Sequence, residues 1–123
     1  MGDRVLFQVV SGNNVSPVVY CHWAGSDAPR IVRALAERMT ARGDDVDYAA
    51  ARLVQECTAL DPDGFLGFGI SNASARLTKA DSHGDAGVVL IDCADNFRCE
   101  CLGGYLVTGP DGFPKEKRNA LYR

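Results

Sequence analysis

The residues able to do chemistry in this chain gather in a few short stretches. Cys21-His22-Trp23 joins a thiol to an imidazole, the pairing of a nucleophile with its base. Adjacent residues on a strand point to opposite faces, so this spacing works against direct contact between Cys21 and His22. It leaves His22 as a strand-end residue bonded to backbone or to a carboxylate. Asp81-Ser82-His83-Gly84-Asp85 sets two carboxylates and an imidazole at alternate positions, a pattern able to hold a divalent ion or to supply acid and base. Plain loops rich in Asp, Ser and Gly have the same composition. Asp61-Pro62-Asp63-Gly64 opens like a calcium loop but lacks the later oxygen ligands and the distal Glu, so it is a turn. Gly67 and Gly69 alternate along a strand instead of leading into a helix, which is the wrong setting for a phosphate cradle. The P-loop, zinc-protease and nucleophile-elbow patterns are absent from the sequence.

Five cysteines, Cys21, Cys57, Cys93, Cys99 and Cys101, make an odd set with no secretion signal before it. That fits free thiols in a reducing cytosol better than a disulfide framework. Cys99 and Cys101 share one strand face, but the C-x2-C pairs of structural zinc sites are missing, and we expect neither metal nor cofactor. The 123 residues carry a net charge of −3, which argues against nucleic-acid binding by counter-ion release. The charge is uneven. Residues 44–100 hold eleven acids against four basic residues, while both flanking segments are slightly basic. No apolar run approaches the roughly 18 residues needed to cross a bilayer, so a membrane role is not expected.

These groups need elements to position them. Arg4–Val10 and Val18–Trp23 are β-branched and aromatic runs either side of Ser11-Gly12-Asn13-Asn14, which predicts an opening hairpin. Ser26-Asp27-Ala28-Pro29 is a helix start with a capping side chain, and the spacing of Ile31, Val32, Leu35 and Met39 predicts a helix over 28–42 that stops at Gly43. Asp44 or Asp45 caps a second helix over 46–59, whose apolar face is Val46, Ala50, Leu53, Val54, Cys57 and Leu60. Strands follow around residues 65–71, 87–92, 97–102 and 105–107, with a polar loop over 72–86. The glycines at 67 and 69 predict a strand that another element approaches closely. The reading is an α+β domain over residues 1–108 in the order ββααβββ. Two tandem helices lie on one face of a mainly antiparallel sheet, and an irregular basic tail covers 109–123.

Tyr48 and Arg52 lie four apart on one helical face, and His22 and Trp23 end a strand able to reach it. His22, Trp23, Asp47, Tyr48 and Arg52 are therefore the candidate constellation. Asp44, Asp45, Asp61 and Asp63 at the ends of the second helix complete a negative surface suited to a basic partner.

Several of these stretches, in this order, resemble a family of small proteins encoded by phages, prophages and other mobile elements. They are Met1-Gly2-Asp3-Arg4, Tyr20-Cys21-His22-Trp23-Ala24-Gly25, Asp45-Val46-Asp47-Tyr48 with Arg52, Asp63-Gly64-Phe65, Gly67-Phe68-Gly69-Ile70-Ser71 and Val89-Leu90-Ile91-Asp92. The similarity spans about residues 1–97 and departs at Ala24, where Gly is usual. The family brings no established activity. The resemblance implies an accessory protein of a mobile element, a class that includes small inhibitors of bacterial defence such as anti-CRISPR proteins. The expected function is stoichiometric binding to a host protein in the bacterial cytoplasm. The alternatives are a small hydrolase or nucleotide-processing enzyme using His22 or His83, and a homodimeric assembly protein joined through an open sheet edge.

Overall fold

The structure, a computed structural model, describes residues 2–60 and 67–117. Its elements in chain order are β1 (Val5–Ser11), β2 (Asn14–Val15), β3 (Val18–Cys21), α1 (Ala28–Arg38), α2 (Val46–Leu60), β4 (Phe68–Ser71), β5 (Gly87–Asp92), β6 (Arg98–Leu102), β7 (Leu106–Thr108) and β8 (Pro114–Glu116). The class is α+β with two helices, as the sequence predicts. The main sheet runs β4-β3-β1-β5-β6, with β2 added to the end of β1.

All pairs in that sheet are antiparallel except one. β1 and β5 run parallel, with Val5 opposite Gly87 and Val10 opposite Asp92. The chain order is βββααβββββ rather than the expected ββααβββ, and the sheet is therefore mixed but mainly antiparallel. The reason lies in β1, whose seven residues are all buried. A strand that is apolar on both faces belongs in the centre of a sheet, so β5 inserts beside it instead of extending the opening hairpin.

Period-two alternation splits β1 between two cores. Val5, Phe7 and Val9 meet Ile31, Val32 and Leu35 of α1 and Ala49, Leu53 and Cys57 of α2. Wholly buried side chains such as Leu35 and Leu53 each contribute roughly 1.5–3 kcal/mol of burial free energy. Leu6 and Val10 face the other way, onto Val18, Val88 and Leu90, with Ala73 and Leu77 packed over them.

That second face is covered by the polar segment 72–86. β4 and β5 run in the same direction at separated positions, so their connection must travel back along the sheet. The fifteen-residue length is the span of that crossover. Gln8, fully buried, fastens it. Its amide donates to Ser16 O and Ala75 O, both at 3.1 Å, and its carbonyl accepts from Leu77 N–H at 2.8 Å.

Three local expectations are corrected. α1 ends at Arg38, and residues 39–42 turn towards Gly43, which sits at φ +62°. Asp27 makes no capping bond; its carboxylate pairs with Arg30. The segment from 109 is not irregular throughout, because β8 pairs with β7 and the hairpin leans on α1, with the Arg33 guanidinium 4.6 Å over the Phe113 ring and an ion pair to Asp111.

Candidate functional site

β3 ends with Cys21 in the helix-side core, so Tyr20 and His22 share the opposite face. Tyr20 Oη and His22 Nδ1 are hydrogen-bonded at 2.6 Å. The other edge of the imidazole lies against Gly2, where a Cβ would come within 2.6 Å of His22 Nε2. Trp23 then turns over His22, ring centroids 4.5 Å apart and planes at 67°, and closes on Gly67, where a Cβ would sit 3.0 Å from its Cδ1. The close approach expected along the 67–69 strand occurs at Gly67. At Gly69 a Cβ would meet nothing within 4 Å.

His83 arrives from the crossover and packs edge-on to Tyr20, centroids 5.5 Å apart. Arg4 sets it there. Its Nη2 donates to His83 O at 2.9 Å, its Nε to Asp85 Oδ2 at 2.9 Å, and its backbone N–H to the same carboxylate at 3.1 Å. These bonds hold the Asp85 carboxyl below its ordinary value and raise Arg4. The result is a row of four rings, Trp23, His22, Tyr20 and His83, with Trp23 58% exposed at its end.

The second half of the expected constellation lies elsewhere. Asp45 is the residue that caps α2, accepting the Tyr48 N–H at 3.0 Å, and it pairs with Arg42 at 3.7 Å. The Tyr48 ring lies between two guanidiniums, Arg42 at 3.8 Å and Arg52 at 5.0 Å. Arg52 Nε is buried with no hydrogen-bond partner. Asp44 accepts the Cys93 thiol at 3.3 Å, and Asp47 is exposed. Asp44, Asp45 and Asp47 line a cleft with Asn14, Val15, Arg42 and Val46. That cleft is at the β2 end of β1, whereas His22 bonds to Asp3 at its start. Seven residues of strand, at about 3.3 Å each, separate them by roughly 20 Å. His22 and Trp23 therefore do not meet Asp47, Tyr48 and Arg52. Asp61 and Asp63 lie outside the described residues.

The Asp81–Asp85 cluster is also dispersed. Asp81 closes a capping box with Thr78, Asp85 belongs to Arg4, and His83 to Tyr20. Among the described residues no group of three or more His, Cys, Asp or Glu side chains is placed to hold a metal ion. Cys57, Cys93, Cys99 and Cys101 are biased towards their protonated form. A hydrogen bond with Cys21 and burial push Cys57 up, and burial pushes Cys99 up. Cys93 is raised to about 12 by burial and Asp44, and Cys101 to about 11 by burial.

Sequence reasoning missed Tyr20, Arg4 and Gln8. The i, i+2 spacing of Tyr20 and His22 on a strand was signal enough to pair them; nothing local pairs His83 with either. No described helix is long and apolar enough to cross a membrane. Compared with family models, curated proteins and solved structures, the chain matches none of them.

Proposed function

We propose that this chain is a small accessory protein of a mobile genetic element that binds a host protein stoichiometrically and occludes it, in the manner of anti-CRISPR inhibitors. The resemblance to phage and prophage proteins supports the origin. The observation that carries binding is Trp23, 58% exposed yet held in place by His22 and Gly67 on a strand end. A rigid exposed aromatic is the residue type that most often anchors an interface, because little conformational entropy is lost when it docks. The acidic cleft of Asp44, Asp45 and Asp47 at the other end of β1 supplies steering towards a basic partner surface.

Co-purification from lysates of candidate hosts tests this. One partner should be retained at fixed stoichiometry by the wild type and lost with Trp23→Ala. Recovery of the same proteins by both sinks the reading. The convergence of both imidazoles on Tyr20 favours a second reading, a small hydrolase or nucleotide-processing enzyme. Titration against a captured target separates the two. Occlusion needs protein in proportion to target, whereas an enzyme inactivates many targets per molecule and stops with His22→Ala.

A further inference from the structure

The two edges of the main sheet are treated in opposite ways. At β6 the β7–β8 hairpin covers the open backbone: Cys99 N–H donates to Gly112 O at 2.7 Å, and Thr108 Oγ1 donates to Cys99 O at 2.9 Å. Arg98 and Glu100 add charges to that edge. β4 closes the other side as the terminal strand among the described residues. Phe68-Gly69-Ile70-Ser71 carries neither a charge nor a proline, the two commonest guards of an exposed edge. The described residues include two exposed large hydrophobics, Trp23 and Ile70, and both lie on this side: Ile70 is 56% exposed within β4, and Trp23 packs on Gly67 just before it.

The direction of the free backbone groups follows from the ladder. His22 N–H donates to Gly67 O at 2.8 Å, so Gly67, and by alternation Gly69 and Ser71, turn their polar groups towards β3. Phe68 and Ile70 turn theirs outward.

We infer that the chain self-associates through β4, two copies pairing antiparallel about a twofold axis at Gly69. In this register Phe68 faces Ile70 of the second copy and Ile70 faces its Phe68, and each pair exchanges both N–H···O bonds. Gly69 faces Gly69 of the second copy at the narrow site between them, where Cα atoms approach to about 4.5 Å. The flank there is clear, since a Cβ on Gly69 meets nothing within 4 Å. Ile70 and Phe68 stand opposite Val19 and Cys21, on the helix side of the sheet, so each exposed Ile70 is covered by the Phe68 of the second copy. The strand fits its own copy because the pattern is self-complementary about Gly69 and brings no like charges together in a chain of net charge −3. This pairing is independent of any host partner.

Sedimentation equilibrium, with two substitutions, tests the inference. The wild type should show the mass of two chains and fall towards one on dilution. Ile70→Lys should have the mass of one chain, with unchanged circular dichroism and thermal midpoint. Gly69→Cys should form a cross-linked dimer when oxidised glutathione is reduced at the expense of the two thiols, because the Cα spacing suits a disulfide. Ser71→Cys, which this register sets opposite Gly67 of the second copy, should not. A monomer at every concentration overturns the inference. So does a dimer that survives Ile70→Lys, or one in which Ser71→Cys cross-links as readily as Gly69→Cys.

Discussion

Gln8 and Leu77, sixty-nine residues apart, are joined by a 2.8 Å hydrogen bond from the Leu77 N–H to the Gln8 side-chain oxygen. Gln8 is wholly buried in the central strand, and its carboxamide also binds Ser16 O and Ala75 O. One polar side chain in an apolar strand thus holds the crossover over the second face of the sheet. Without it, the segment that delivers His83 to Tyr20 keeps the packing of Ala73 and Leu77 on the sheet and ties such as Arg76 to Gly12 O, Arg4 to Asp85 and Ser82 to Gly103 O.

Gln8→Leu should therefore destabilise the fold although it adds apolar surface. Stranded buried polar groups cost roughly 1–3 kcal/mol each, so a loss of about 3 kcal/mol is expected in urea denaturation. Amide exchange should accelerate first at Leu77. A neutral effect would mean that water replaces the carboxamide.

Alkaline stability should report the thiols. Cys93 and Cys101 are raised from 9.0 to about 12 and about 11. Above pH 9 the unfolded chain loses these protons first and binds fewer than the native state, so stability falls with rising pH. The contribution is complete below the unfolded value and lost as the pH climbs through the folded ones. Thermal midpoints in reductant, from about pH 8 to about pH 11, should decline less steeply for Cys101→Ser than for the wild type. Cys101, the one half-buried thiol, should be the first labelled by alkylating reagent in the native protein.

Acid stability has the opposite sign. Asp85 and Asp111 are lowered from 3.8, chiefly by their hydrogen bonds to Arg4 and Arg33. Near that value the unfolded chain binds more protons than the native one, so these pairs contribute above it and are lost as the pH falls through the lowered folded values. Asp85→Asn should flatten the acid limb of the thermal midpoint. Arg4→Met should do the same and also release His83, visible as a shift of its imidazole resonances.

The acidic residues near α2 should not behave alike when reversed. Asp47→Lys, on an exposed side chain, should change stability by about 0.5 kcal/mol or less, while slowing capture of the proposed host partner at low salt. Asp45→Ala removes the helix cap and should cost about 1 kcal/mol. Urea midpoints and association rates measured on the same two variants separate capping from steering.

The local chemistry of the sequence was sufficient to define both helices and the main strands up to residue 108, but not β8 in the segment expected to be irregular. Helical spacing from Ile31 to Met39 and from Val46 to Leu60, a cap at Asp44 or Asp45 (the structure selects Asp45) and the hairpin turns are decided by neighbours within a few residues, and the two helices and the main strands stand close to where that chemistry puts them. The same alternation put Tyr20 and His22 on one face. What stands beside what was decided only in the tertiary structure. The place of β5 next to β1 follows from burying a strand that is apolar on both faces, a demand satisfied between segments eighty residues apart. That placement forces segment 72–86 to run back over the sheet, and the crossover carries His83 to Tyr20. It also makes β1 the full-length axis that holds His22 and Trp23 away from Tyr48 and Arg52. Periodicity fixes which face a side chain takes; the end of the sheet at which it stands depends on strand order, which is set by packing energy summed over the whole chain.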